Sequence, residues 1–218
     1  MRRQFDQQLA LLNRELIEMG ALCEEVIALA SKALTEGDPA LAAQVGPLDT
    51  EIDQKERTIE SLCLKLLLRQ QPVARDLRQI SAALKMITDM ERIGDQAEDI
   101  TEIVAFLDGR QAENDALLKE MAKAVIQMVT ESVDAYVKCD IMLAKKVIAA
   151  DDVVDEQFAR VKQSLIGKIA ADPADGEYAL DLLMIAKYYE RIGDHATNIA
   201  EWVIYSVTGT HKDEITLT

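Results

Sequence analysis

The sequence predicts an all-α protein built from two tandem, sequence-related three-helix bundles. Apolar residues recur at alternating spacings of three and four over long stretches, which is the periodicity of an amphipathic helix. No segment alternates with period two for long enough to indicate a sheet. Half of the 218 residues are apolar, and only nine glycines and four prolines interrupt them. This composition is typical of long helices that pack through aliphatic side chains.

Helix-breaking residues divide the first half of the chain into three predicted helices. Residues 37–39 (Gly-Asp-Pro) end a first helix over residues 5–36. A second helix over residues 40–70 is interrupted at Gln71-Pro72, because the residue before a proline avoids the helical conformation. Asp108-Gly109-Arg110 ends the third helix.

The second half repeats this organisation. Residues 138–140 form a weaker break, whereas residues 171–173 together with Asp175-Gly176 form a strong one. Thr208-Gly209 closes the last helix. The prediction is therefore six long helices in two sets of three, with one bundle over residues 1–109 and the other over residues 110–218.

The third and sixth helices show the apolar stripe most clearly. The stripe of the third helix consists of Met86, Met90, Ile93, Ala97, Ile100, Val104 and Leu107. The sixth helix carries Ile185, Tyr189, Ile192, Ala196, Ile199 and Val203. Three-four spacing sustained over several turns favours helices that lie nearly parallel in a bundle.

An internal repeat links these two helices. The residues ERIGD occur at 91–95 and again at 190–194, and residues 87–104 align with residues 186–203 at a constant offset of about 99. A repeat of this length with an identical charged centre indicates a duplicated unit that carries a duplicated site.

The repeated unit is rich in carboxylates at helical spacing. The third helix has Glu91, Asp95 and Asp99 at intervals of four, and the sixth has Glu190, Asp194 and Asn198 in the same places. Residues 48–54 and 150–156 also align, which pairs Asp49 with Asp151 and Asp53 with Asp155. Residues four apart share a helical face. We expect these acids to form surface rows that face away from the apolar stripes and converge between neighbouring helices.

Two interpretations of these rows are open. Acidic pairs are common on the solvated faces of an acidic chain, and Arg92 and Arg191 could form ordinary ion pairs with Asp95 and Asp194. Alternatively, a bound cation would turn the repulsion between carboxylates into attraction, as in bundles that hold iron or manganese. Gly94 and Gly193 favour this second interpretation, because a glycine inside a helix costs about 1 kcal/mol and suggests a close approach beside the acids.

Other classes of function find little support in the sequence. A formal net charge of −15 argues against nucleic-acid binding. No phosphate-binding loop, dinucleotide fingerprint or nucleophile elbow occurs, and His195 lacks the Glu-x-x-His spacing of a di-iron site. The three cysteines suggest core thiols, and neither a signal peptide nor a membrane-spanning run is evident. We expect a cytoplasmic protein.

The doubled ERIGD, the QQPVARDLRQI segment at residues 70–80 and the upstream acid pairs closely resemble the PhoU family over nearly the whole chain. The resemblance implies two similar three-helix bundles and a negative regulator of the phosphate regulon. Such a regulator couples the nucleotide-binding subunit of the Pst phosphate ABC transporter to a phosphate-sensing histidine kinase. The family further implies a homodimer, in which contact with the membrane is made only through partners.

The resemblance also implies a multinuclear iron or zinc cluster at each E/D-x-x-x-D motif, with manganese or magnesium as other candidates. Carried over, the first bundle would use Asp49, Asp53, Glu91, Asp95 and Asp99. The second would use Asp151, Asp155, Glu190, Asp194 and Asn198. Because Asn198 replaces an acid by a neutral ligand, we expect the second site to bind more weakly.

The expected function is therefore regulatory, with no catalytic residues. Two alternative functions, an enzymatic one and a metal-storing one, are also compatible with the acidic residues. Clustered carboxylates with two metal ions can also clamp phosphate esters, which would make the chain a metal-dependent phosphohydrolase. A helical scaffold that stores metal would carry the same acids without a partner.

Overall fold

A computed structural model describes residues 2–70, 72–107 and 116–210, and every regular element in these ranges is helical, as predicted. Six helices are long and are separated by short connections. In chain order the α-helices are α1 (Arg2–Glu36), α2 (Pro39–Ala42), α3 (Val45–Gln70), α4 (Ala74–Phe106), α5 (Ala116–Lys138), α6 (Ile141–Ala171) and α7 (Gly176–Thr208).

The first break lies where the sequence predicts it, but the second predicted helix is not continuous. Gly37 adopts a positive φ of 61° after α1, and Asp38 caps α2 by accepting a 2.8 Å hydrogen bond from the backbone N–H of Ala40. The prediction of one helix over residues 40–70 is wrong, because α2 ends at Ala42 and α3 begins at Val45. Pro47 explains the interruption, since in a continuous helix its ring would clash with the carbonyl four residues earlier.

The connection between α5 and α6 is a stronger break than the sequence suggests. Cys139 has a φ of 52°, which is uncommon for a residue other than glycine. Asp140 then caps α6, since its carboxylate accepts hydrogen bonds from the backbone N–H groups of Met142 at 2.9 Å and Leu143 at 3.0 Å. The chain therefore turns sharply without a glycine or proline.

The remaining boundaries agree with the breakers. A 3₁₀ turn (Pro173–Asp175) joins α6 to α7, and Gly209, with a φ of 81°, ends α7. The predicted end of the third helix at residues 108–110 and the predicted domain boundary at 109/110 both lie outside the described residues.

The two halves pack as related bundles around a common core. Helices α1, α3 and α4 form the first bundle, α5, α6 and α7 form the second, and α4 meets α7 along the most extensive helix pair. The two helices run antiparallel, because Arg78 near the start of α4 lies against Gly209 at the end of α7, while Asp89 contacts Asn198. The predicted stripe residues of both helices are buried here.

The structure also bears on the predicted core thiols and on the question of a membrane-spanning run. Cys23 and Cys63 are buried free thiols as expected, whereas Cys139 is only half-buried. Met121 and Met128 are also buried. None of the helices in the described ranges is long and apolar enough to cross a membrane.

Candidate metal centre

Helices α3 and α4 bring a set of carboxylates from the first half together. Asp49 on α3 interacts electrostatically with the carboxylates of Asp53, Glu91, Asp95 and Glu98. These five residues are the first acidic cluster. Four of them belong to the set predicted from the sequence, and Glu98 is an addition. The cluster lies against the N-terminal turns of α3, since a β-carbon at Gly46 would stand 3.0 Å from Glu98 Oε1.

Gly94 gives the first acidic cluster its close helix contact. A β-carbon at this position would stand closer than 3.0 Å to Asp49 Oδ1 and 3.1 Å from Ile52 Cδ1, so no larger residue fits without a shift. The Oδ1 atom of Asp49 is buried and has no hydrogen-bond partner among the residues that the structure describes. A buried carboxylate oxygen without a partner is costly, and a cation is one group that would satisfy it.

The environment of the first acidic cluster raises carboxyl pKa values. Burial, followed by repulsion from Glu98 and Asp95, raises the pKa of Asp49 to about 6. Burial is also the main cause of the raised pKa values of Glu91 and Glu98. The carboxylates converge between neighbouring helices as expected, and the close approach of α3 half-buries these side chains.

Arginines neutralise part of this charge. The Arg92 guanidinium donates a 2.7 Å hydrogen bond to Asp95 Oδ2 and lies 3.4 Å from Glu91 Oε2. Arg57 is 3.6 Å from Asp53 Oδ2. The predicted ion pair between Arg92 and Asp95 is thus confirmed. Because both arginines are largely exposed, these pairs stabilise the fold only weakly and leave the cluster with a net negative charge.

Helices α6 and α7 build the corresponding arrangement in the second half. Asp151 on α6 interacts with the carboxylates of Asp155, Glu190 and Asp194, and these four residues are the second acidic cluster. Burial and then repulsion from Asp194 raise the pKa of Asp151 to about 6. A β-carbon at Gly193 would stand 3.5 Å from Asp151 Oδ1, which is ordinary van der Waals contact.

The second cluster differs from the first in its surroundings. Thr197 occupies the place that Glu98 has in the first repeat, and its hydroxyl lies beside Asp151 and favours the ionised carboxylate, although the geometry falls short of a hydrogen bond. Lys187 pairs with Glu190, whereas Arg191 lies over the ring of Tyr188 and does not pair with Asp194. The second cluster therefore carries fewer carboxylates.

Two of the predicted ligands, Asp99 and Asn198, lie at the contact between α4 and α7. The side-chain amide of Asn198 donates a 3.1 Å hydrogen bond to Asp89 Oδ1, and His195 Nδ1 lies 2.9 Å from the same oxygen. Burial, followed by repulsion from Glu102 and Asp95, raises the pKa of Asp99, and the nearby Arg191 guanidinium offsets part of this rise. Asp99 thus interacts with Asp95 and Glu98 of the first acidic cluster, although it is not among the groups that act on Asp49. Asn198 is not among the groups that act on Asp151.

Sequence reasoning assigned no role to Glu98 and Glu56. Glu98 lies seven residues after Glu91, which places both on one helical face, and this spacing could have identified it. Glu56, one turn beyond Asp53 on α3, interacts with Asp53 and has a raised pKa, mainly because of burial. Phe158 stands at the equivalent place in the second repeat.

The donor atoms suit a hard cation, although no coordination sphere is already formed. All donors are carboxylate oxygens, which hard divalent cations prefer. Within residues 2–70, 72–107 and 116–210, however, no three carboxylate, histidine or cysteine side chains stand close enough to hold a metal ion as placed. The residues fit a cation that draws the side chains inward, with the unpartnered Asp49 Oδ1 as the central oxygen of the first cluster.

The comparisons with known proteins agree with this repeated architecture. Residues 16–104 and residues 118–203 each match the family model described as the PhoU domain. The chain belongs to the PhoU family. Each PhoU match contains one copy of ERIGD and all the clustered carboxylates of its half.

Individual relatives and solved structures extend over nearly the whole chain. A phosphate-specific transport system accessory protein PhoU homolog from Pseudomonas aeruginosa is 36% identical over 218 residues, which cover 99% of this chain and 90% of that protein. A homolog of the same name from Clostridium acetobutylicum is 35% identical over 216 residues, covering 97% and 98% of the two chains.

Crystal structures of PhoU proteins show the same fold. The structure of PhoU from Pseudomonas aeruginosa superposes with a TM-score of 0.89 at 36% identity and covers 94% of this chain and 100% of that one. The phosphate transport system regulatory protein PhoU from Streptococcus pneumoniae gives a TM-score of 0.88 at 26% identity, covering 95% and 98%.

Proposed function

We propose that this chain is a regulatory accessory protein of a phosphate-specific ABC transporter and that metal bound at its two acidic clusters forms part of its docking surface. The observation that carries the proposal is the pairing of two PhoU domains with two carboxylate clusters, each built beside a mid-helix glycine. The relatives named as phosphate-specific transport system accessory proteins align with this chain over nearly their full length.

The role proposed for the metal follows from the electrostatics of the clusters. Carboxylates held together repel one another, and this repulsion adds to the effect of burial in raising the pKa values of Asp49 and Asp151. A cation would neutralise this repulsion and link α3 to α4 and α6 to α7. Because no histidine or cysteine belongs to either cluster, the oxygen donors favour iron, manganese or magnesium over zinc.

The proposed partners are the nucleotide-binding subunit of the transporter and a phosphate-sensing histidine kinase. The net charge of −15 favours association with basic surfaces on such partners. The protein would act at the cytoplasmic side, as a homodimer and in contact with the membrane only through these partners. In this role it restrains the kinase when phosphate is plentiful, and the regulation needs no catalytic turnover.

The proposal is tested by removing one carboxylate from each cluster in the variant Asp95→Ala/Asp194→Ala. Elemental analysis of protein purified without metal-affinity resin should show metal in the parent chain and its loss in the variant. A phosphate-starvation reporter in cells should be derepressed in rich phosphate, while circular dichroism shows unchanged helix content.

The matched control is Glu25→Ala/Glu177→Ala, which changes the net charge equally but lies outside both clusters. It should retain both metal and repression. Normal repression by the Asp95→Ala/Asp194→Ala variant would contradict the regulatory role of the clusters. Hydrolysis of phosphate esters by the metal-loaded parent chain, lost in that variant, would instead favour the phosphohydrolase alternative. Metal without any effect on repression would favour a storage scaffold.

A further inference from the structure

Large apolar side chains are exposed where α3 leads into α4. Leu64 and Leu68 near the end of α3 are 47% and 83% exposed, and Val73 and Leu77 at the start of α4 are 58% and 45% exposed. These four residues are the apolar tip. Exposed apolar side chains gathered within residues 64–77 are typical of a surface that another molecule covers.

The apolar tip lies on both walls of the groove between α3 and α4. The two helices run antiparallel with Asp49 against Gly94, and continuing this pairing places Leu68 level with Leu77. Leu77 precedes Glu91, whose carboxylate interacts with those of α3, by nearly four helical turns, so it shares the side of α4 that faces α3. A groove with apolar residues on both walls is a surface on which a third helix packs.

The α3 wall of this groove changes from acidic to apolar along its length. Glu56, Glu60, Leu64 and Leu68 follow at intervals of four, and residues four apart share a helical face. Glu60 is exposed one turn before the first leucine of the tip. Burial, followed by repulsion from Glu60 and Asp53, raises the pKa of Glu56. The groove therefore has an apolar end at the tip and a carboxylate end next to the first acidic cluster.

The nearby cations do not reverse the charge of the carboxylate end. Arg57 lies 3.6 Å from Asp53 Oδ2 and is engaged with the first acidic cluster. Repulsion from Glu60 acts on Glu56 more strongly than the attraction of Arg57 does. Lys65 comes directly after a leucine of the tip, so it is turned about 100° around α3, away from the row of leucines and glutamates.

The hairpin of α6 and α7 does not repeat this pattern. At the offset of 102 that aligns α3 with α6, Lys162 stands in the place of Glu60, and Phe158 precedes it by one turn. Ala170 stands in the place of Leu68, the most exposed residue of the tip. A helix with basic and apolar residues is thus attracted to the first groove, whereas Lys162 repels it from the second.

We propose that the groove between α3 and α4 binds one amphipathic helix of a partner protein, with the apolar stripe of that helix on the apolar tip and its lysine or arginine residues against Glu56 and Glu60. A second copy of this chain fits less well, because its net charge of −15 repels another acidic surface. A lipid surface also fits less well, since anionic headgroups repel carboxylates one to two turns from the leucines. This helix specifies the partner in the docking role proposed above and rests on that role, but its binding is measured without reference to metal.

Fluorescence anisotropy with labelled synthetic peptides tests the proposal. The probe is a helical peptide of about 18 residues with leucines on one face of its first two turns and lysines on the same face of its last two. Two matched peptides carry serine for leucine or glutamate for lysine. The leucine-lysine probe should saturate at one site per chain and bind more tightly than either matched peptide. Repeating the titration in chelator should give the same order of affinities, because neither the tip nor Glu60 belongs to an acidic cluster.

Substitutions in the apolar tip locate the binding site. Leu68→Ser/Leu77→Ser removes apolar surface from both walls at exposed positions and should weaken binding of the probe by about tenfold or more. The matched control Ile166→Ser/Leu180→Ser removes two exposed apolar residues of α6 and α7 and should bind as the parent chain does. Circular dichroism checks that both variants keep their helix content.

Reversing the charge at Glu60 gives a readout that a folding defect does not produce. Glu60→Lys introduces the residue type found in the second half and should weaken binding of the leucine-lysine probe by about threefold or more. The same variant should bind the leucine-glutamate peptide more tightly than the parent chain does. The control Glu25→Lys changes the net charge equally at an exposed position on α1 and should alter neither affinity.

Several results would overturn the proposal. Equal binding of the three peptides, or no saturable binding to the folded parent chain, would exclude a helix-binding groove of this chemistry. Self-association in analytical ultracentrifugation that Leu68→Ser/Leu77→Ser abolishes would show that a second copy covers the tip. Binding to vesicles of phosphatidylglycerol and phosphatidylcholine, lost in the same variant, would show a lipid surface instead. In each case the metal content and repression of Asp95→Ala/Asp194→Ala still decide the proposed function separately.

Discussion

The two acidic clusters share one backbone framework but differ in chemistry. Both place an aspartate of the preceding helix, Asp49 or Asp151, beside the glycine of an ERIGD segment. In the first cluster that aspartate meets four other carboxylates, whereas in the second it meets three and a threonine hydroxyl. All members of the first cluster are half-buried, but Asp155 and Asp194 of the second are exposed.

This difference shows that the duplicated motif does not by itself determine the strength of a site. ERIGD is identical in both halves, and the asymmetry comes from residues outside it, namely Glu98 against Thr197 and Glu56 against Phe158. More carboxylates in a less solvated setting hold a cation more strongly. We therefore expect the first cluster to be the tighter metal site.

The largest expected effect is on metal content. Asp95→Ala should remove most of the bound metal, because Asp95 belongs to the cluster with more donors. Asp194→Ala should remove a smaller share, because its cluster is more exposed and has fewer carboxylates. Elemental analysis after dialysis against dilute chelator measures both single variants. Equal losses would show that the two clusters bind alike despite their different surroundings.

The next largest effect is on stability, when the glycine of either ERIGD segment is replaced by alanine. Gly94→Ala forces Asp49 or Ile52 to move, and we expect a net loss of about 1–2 kcal/mol in the free energy of unfolding. Gly193→Ala places its methyl group at ordinary contact distance and should gain up to about 1 kcal/mol from helix propensity. Urea unfolding measures both variants, each in the presence of chelator.

The test is whether each glycine substitution raises or lowers the free energy of unfolding relative to the parent chain. A stabilising Gly94→Ala would mean that Asp49 moves aside freely, and a strongly destabilising Gly193→Ala would mean that α6 has no room to accommodate a methyl group. The matching metal measurement should show a loss for Gly94→Ala only, since only that variant displaces the central aspartate.

Much of this arrangement could be predicted from the sequence. Periodicity and breakers gave the six long helices, and the repeat together with the spacing of acids gave the members of both clusters except Glu98. The breakers at residues 37–39 and 71–72 did not reveal the helix break before Pro47, which lies in the first turn of α3.

Asp99 and Asn198 show a second limit of sequence reasoning. Both continue the i, i+4 series, but a helix advances by about 100° per residue, so a strict four-residue series drifts around the helix. The third member has then turned toward the contact between α4 and α7. Which neighbouring helix this third residue contacts depends on the tertiary structure, and the pattern along one helix does not specify it.

Adding a carboxylate to the second cluster tests whether the number of donors sets the metal affinity. Thr197→Glu introduces the carboxylate that Glu98 supplies in the first half, and it should raise the metal affinity of the second cluster several-fold at neutral pH. The reciprocal variant Glu98→Thr should lower the affinity of the first. Competition with a metal indicator dye measures both. If Thr197→Glu binds less metal than the parent, the difference between the halves comes from exposure and not from donor number.

The smallest effect is on pH-dependent stability without metal. Asp49 and Asp151 have pKa values of about 6 in the folded chain, above the value of about 4 for an unfolded aspartate. The folded state therefore binds more protons between about pH 4 and 6, and the stability present at low pH is lost as pH rises through this window.

Replacing either aspartate with asparagine, which carries no charge, removes this loss of stability at neutral pH. The two single variants therefore measure the effect in each half separately. In chelator at pH 7.5, Asp49→Asn and Asp151→Asn should each raise the free energy of unfolding by about 1 kcal/mol after allowance for solvent screening, because the two carboxyl groups have the same raised pKa. Near pH 5 both gains should shrink. With metal restored the sign should reverse for Asp49→Asn, because the same oxygen that repels its neighbours in the metal-free chain would then be a ligand. A variant that is less stable than the parent in chelator at pH 7.5 would show that Asp49 is held by favourable contacts and not by the close approach of α3 and α4.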